Sequence, residues 1–187
     1  MARCGDPVPV VDAGHNAATP GIIARAGLWS ALAFVLNLTW EIAHVRLYTM
    51  RSAADGTSVA WALFHCTLGD VVIALAVFAL AGIVLRRADW PGSRPWTGGV
   101  IFVIGAVAFT AWSEWYNVYR IGNWGYAASM PMIFGIGLSP LLQWLILPPV
   151  MVGIYRMLAP VLFGQHGGSE DAGPRQAMTG AQQQIRS

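Results

Sequence analysis

The chain has 187 residues, of which 56% are hydrophobic and 11% charged, less than half the roughly 25% charge of an average soluble domain. All eleven basic residues are arginine, and nine acids leave a net charge of +2, too little for a nucleic-acid footprint. Two cysteines exclude a disulfide scaffold, and nine tryptophans with a positive mean hydropathy exclude a wholly disordered chain. A membrane protein is what remains.

Taken in chain order, residues 1–21 are rich in Gly, Pro and Ala and read as a disordered tail. A first apolar run covers about 27–47, and within it Asn37, Glu41 and His44, followed by Tyr48, form one helical stripe at 4, 3, 4 spacing. A second run, 59–85, is interrupted by His65 and Asp70. A third, 98–119, carries Thr110, Glu114 and Asn117 on one face. A long loop of about 120–137 holds Trp124 and Tyr126 and reads as a re-entrant or interfacial cap. The fourth run, about 137–158, has Pro140 in its first turn, Gln143 just after it, and Pro148-Pro149 in mid-span, where a kink or break is expected. Residues 164–187 read as a second tail. Each run reaches the roughly 20 residues needed to cross the hydrocarbon core, and lipid permits such spans only as helices. The expected fold is all-α: a polytopic four-helix transmembrane bundle, residues 22–163, with a long outer loop between helices three and four.

The arginines give an orientation. Eight (Arg3, Arg25, Arg86, Arg87, Arg94, Arg156, Arg175, Arg186) fall with the termini and the middle loop, against three (Arg46, Arg51, Arg120) opposite. The positive-inside rule then makes the termini cytoplasmic. The first span starts late and carries an acid, which suits no cleaved signal peptide, and the short, Arg-only chain is read as a bacterial inner-membrane protein.

Ionisable groups inside spans are functional candidates because they are costly to keep there. Glu41 and His65 each lie about 9 Å from the same edge, Glu114 and Gln143 within about 10 Å of it, and Asp70 about 16 Å deep. All five therefore gather towards the non-cytoplasmic side. Glu41 and His44 form a Glu-x-x-His pair, the spacing by which helix bundles present carboxylate and imidazole to iron or manganese. Adding His65 and Glu114 gives two imidazoles and two carboxylates, a donor set for iron, zinc or manganese. Asn37, Asn117, Gln143 and Tyr48 would surround it. Axial ligation of haem b by His44 and His65 is the lesser alternative, since two carboxylates suit a porphyrin face poorly. Without metal, Glu41, Glu114 and Asp70 would supply acid and base to a lipid-soluble or small substrate.

The expected function is a metal-assisted membrane-embedded enzyme or redox component. A transporter subunit, or a metal-handling or assembly protein, is the alternative. The bilayer is the expected environment, an oligomer is compatible with either reading, and nucleic acid is not a partner. The reaction stays open between these readings.

Overall fold

The computed structural model describes residues 18–50 and 56–163. Within them the chain is all-helical apart from two short strand pairs. Helix α1 covers Ala18–His44 and ends in a 3₁₀ turn, Val45–Leu47. Helix α2 is Gly56–Leu85, α3 the single turn Trp90–Ser93, and α4 Pro95–Trp115, running on into a π-helical turn at Tyr116–Ile121. Helix α5 is Leu138–Phe163.

Four stretches are long and apolar enough to cross a membrane: Gly21–Leu47, Val59–Leu85, Pro95–Ile121 and Leu138–Phe163. They coincide with the four runs read from hydropathy, but three of them extend further. Helix α1 begins at Ala18, inside the segment expected to be tail, and α5 continues to Phe163. The remaining tail residues, 1–17 and 164–187, lie outside the described part.

Helices α1, α2, α4 and α5 form a ring in which α1 and α4 each pack against both α2 and α5. Side chains that face the axis therefore meet partners from three other helices. One end of this axis is aromatic. Trp29, Trp90 and Phe102 are fully buried there, with Tyr155 beside them. Trp90 reaches in from the short α3 and donates from Nε1 to the Phe78 carbonyl at 3.1 Å. Its seat depends on Gly98, where a Cβ would stand 1.9 Å from the Trp90 ring. Only glycine lets α4 pass that close.

The expected interruption at Pro148-Pro149 does not break α5, which contains Pro148, Pro149 and Pro160 as one helix. Each proline withholds an N–H from the carbonyl four residues earlier. The surrounding turns are nevertheless locked by buried Trp144, Leu147, Met151 and Val152. Packing on that face outweighs two missing bonds.

The segment between α4 and α5 contains no helix from Gly122 to Gly137. It is built instead from short strands. β1, Tyr48–Met50, pairs antiparallel with β2, Trp124–Tyr126, in the register Tyr48 with Tyr126 and Thr49 with Gly125. β3, Met132–Ile133, pairs with β4, Ile136–Gly137. The π turn ends at Gly122, whose φ of 71° is the left-handed conformation of a helix stop. The β1–β2 ribbon thus ties the end of α1 to the end of α4, over the mouth of the bundle.

Candidate functional site

Beneath that ribbon the polar side chains of the helices meet. Gln143 is 2% exposed and is the hub. Its Nε2 donates to Asn37 Oδ1 at 2.8 Å and to Asp70 Oδ2 at 3.1 Å. One amide, with both its hydrogens used, therefore joins α5 to α1 and α2 across the axis. Asn37 in turn donates from Nδ2 to the Ala33 carbonyl at 2.7 Å. The carboxyl group of Asp70 is also within hydrogen-bond reach of Glu41. A carboxyl–carboxyl hydrogen bond needs a proton on one of the two oxygens.

Glu41 connects this hub to an imidazole. Its Oε1 lies 3.3 Å from His44 Nε2, a contact that follows from their positions three apart on α1. The other nitrogen of the ring, Nδ1, shares a 2.8 Å hydrogen bond with Ser139 Oγ at the start of α5. Both ring nitrogens are engaged, and the orientation of His44 is set from two helices.

Glu114 forms the second part of the site. It is 7% exposed on α4, and two phenols donate to it: Tyr126 to Oε2 at 2.7 Å and Tyr48 to Oε1 at 3.3 Å. These tyrosines are direct partners across the β1–β2 ribbon, so strand register brings both hydroxyls to one carboxyl group. Burial, reinforced by the neighbouring Glu114, pushes both phenols well above their ordinary range. They stay protonated and act as donors. One turn below Glu114, the Thr110 hydroxyl is buried with no hydrogen-bond partner among the described residues. Cys66 is half-buried within electrostatic range of Glu41, Asp70 and Glu114.

Two residues proposed from sequence are not part of this arrangement. His65 is exposed on α2, where its ring touches only the neighbouring Trp61 among aromatic side chains, at 6.3 Å. The reason is helical phase. The inward face of α2 is set by Thr67, Asp70, Ala74, Val77 and Ala81, and His65 points about 160° away from their mean direction. Asp70, expected deep in the span and in the acid–base set, takes the inner position. The buried His44 and the exposed His65 are thus not brought together on the inner face. Asn117 is the other. The π turn carries it out of the Glu114 stripe, and it caps the end of the helix: its Nδ2 donates to the Ser113 carbonyl at 2.8 Å, and its own carbonyl accepts from Gly122 at 2.8 Å and from Asn123 at 3.0 Å.

Ser139 and Tyr126 were not singled out from sequence. Ser139 stands four residues before Gln143, hence on the same face of α5, and that spacing was readable. Tyr126 lies in a loop without periodicity, and only strand pairing aims it. Among the described residues no three His, Cys, Asp or Glu side chains converge as a metal-binding group. Comparison with protein-family models, with curated proteins and with solved structures finds no match to this chain.

Proposed function

We propose that this is a multi-pass membrane protein whose buried cluster exchanges protons with a lipid-soluble, oxygen-bearing substrate. Glu41 and Asp70 are its acid and base, His44 relays the proton, and Glu114 binds. The observation that carries this reading is the carboxyl pair Glu41–Asp70, held between α1 and α2 by Gln143 on one side and His44 on the other. Two carboxyl groups sharing a proton in a water-poor site can give and take it without a large reorganisation. The unsatisfied Thr110 hydroxyl, one turn from Glu114, supports a substrate oxygen as the missing partner, because a buried hydroxyl left unpaired is costly. The arginine distribution adds cytoplasmic termini, so that the ribbon end faces outward, and the short, Arg-only chain adds a bacterial inner membrane as its location.

A metal-assisted version of the same site would draw on Glu41, His44 and Glu114, but among the described residues no three such side chains converge, and His65 lies on the outer face of α2. A transporter could use a helix broken at mid-membrane, and α5 runs through Pro148 and Pro149 as one helix. The test is isotope exchange. Proteoliposomes carrying the protein are incubated in D₂O with a total lipid extract, and the lipids are read by mass spectrometry. Deuterium that survives back-exchange in H₂O, and is therefore bound to carbon, should enter one compound class with the unaltered protein and not with Asp70→Asn or Glu41→Gln. Identical lipid spectra for the three proteins would sink the acid–base reading and leave the cluster as structural cross-bracing.

A further inference from the structure

The β1–β2 ribbon has two faces, and only one of them is turned to Glu114. Side chains alternate across a strand, so the Tyr48–Tyr126 pair looks inward and the Thr49–Gly125 pair looks the other way. On that far side lies a cleft of about 550 Å³, walled by Thr49 and Gly125 of the ribbon, Trp124 at its edge, and Tyr119, Arg120 and Ile121 of the π turn. The wider π turn and the bare backbone of Gly125 together make this space. A Cβ at Gly125 would come within 2.8 Å of Thr49 Oγ1.

Among the described residues the charge in this cleft has no acidic partner. Arg120 is exposed, 6.0 Å from the centroid of the Trp115 ring. Neither it nor Arg46, another exposed cation at this end of the bundle, forms an ion pair among the described residues. The carboxyl groups nearby, Glu41, Asp70 and Glu114, are committed to partners beneath the ribbon. Arg120 also sits in the last turn of a membrane-spanning stretch, Pro95–Ile121, amid Trp115, Tyr119 and Trp124. Aromatic rings of this kind lie at headgroup level, and a guanidinium there matches a phosphate with two parallel hydrogen bonds.

We propose that the Arg120 cleft seats the phosphate of an anionic phospholipid headgroup. This rests on reading the four apolar helices as membrane spans, and it is independent of the acid–base chemistry beneath the ribbon. The lipid's acyl chains would run down the exposed face of α4, where Trp112, Phe109 and Ile104 are exposed.

The experiment uses the full chain in nanodiscs of phosphatidylcholine and phosphatidylglycerol in equal amounts, with retained lipids counted by native mass spectrometry. The unaltered protein should retain phosphatidylglycerol about fivefold over phosphatidylcholine, the ratio expected for one arginine at a headgroup. Arg120→Gln should bring that ratio to parity, and Arg46→Gln, at an exposed position outside the cleft, should leave it unchanged. A ratio unaffected by Arg120→Gln, or lowered equally by both variants, would overturn the cleft in favour of diffuse surface charge. Thermal stabilisation by inorganic phosphate that equals the effect of phosphatidylglycerol and vanishes in Arg120→Gln would overturn the lipid as the source. Carbonate extraction separates the underlying reading: protein washed from the membrane overturns both, whereas resistant protein with no lipid preference overturns only the cleft.

Discussion

The two ends of the bundle bury their side chains by different means. At the end near α3, Trp29 is surrounded by Phe78, Trp90, Phe102 and Tyr155, with ring centroids between 4.9 and 5.7 Å away. Such packing is non-directional: it needs shape and volume, and each contact tolerates a small shift. At the ribbon end, the fully buried Asn37 and Gln143 and the nearly buried His44 and Glu114 are held by directed hydrogen bonds, and every one left unmade carries a penalty. The first end is built for stability. The second spends stability to keep ionisable groups at fixed positions, which is the usual condition of a functional site.

Truncating the aromatic end should therefore cost most. Trp29→Ala removes a fully buried ring from four aromatic neighbours and is expected to destabilise by about 3–5 kcal/mol. Unfolding in a graded denaturing detergent would measure it. At the ribbon end, Gln143→Leu strands the Asn37 and Asp70 oxygens that now accept from its amide and should cost about 1–3 kcal/mol. A larger loss for Gln143→Leu than for Trp29→Ala would reverse the comparison and make the polar hub the main support of the fold.

Sequence legibility divides along the same line. The four helices were readable because lipid-length apolar runs have no other solution, and their ends were misjudged only where Ala, Gly and Pro blur the edge. Asn37, Glu41 and His44 were readable as one stripe because all three sit on a single helix of unbroken period. The inward turn of Asp70 was also encoded. Thr67, Asp70, Ala74, Val77 and Ala81 share a phase that excludes His65, whereas depth along the span cannot tell one side of a helix from the other. The Tyr48–Tyr126 clamp was not legible at all. It depends on the register of two three-residue strands drawn from segments far apart in the chain, and nothing in either segment specifies its partner.

That clamp gives the next, smaller prediction. Tyr126→Phe removes the 2.7 Å bond to Glu114 and Tyr48→Phe the 3.3 Å one, so about 1 kcal/mol is expected for the first and less for the second. The pH dependence has a defined sign. Both phenols are raised above their ordinary value in the folded protein, so unfolding releases groups that ionise more readily. Their contribution is fully present below about pH 10, the ordinary phenol value, and is lost as pH rises above it. Unfolding curves recorded from neutral to alkaline pH should fall less steeply in the double phenylalanine variant than in the unaltered protein. Parallel curves would show that the ribbon tyrosines do not report on the site.

The smallest effect is expected at His65, and it is the most informative about where the site ends. An imidazole at its depth on the inner face would be bound to Glu41 or Asp70, and its removal would strand a buried acid at a cost of about 1–3 kcal/mol or more. On the outer face it touches Trp61, and His65→Leu exchanges one exposed side chain for another. The expected change is within about 0.5 kcal/mol, with deuterium exchange into the lipid extract unaffected. His44→Leu, by contrast, should abolish that exchange, since it severs Glu41 from Ser139. Equal losses from the two histidines would mean that both face one centre. The phase of α2 would then be wrong, and with it the assignment of Asp70 to the interior; unequal losses would fix the boundary of the cluster at the inner face of that helix.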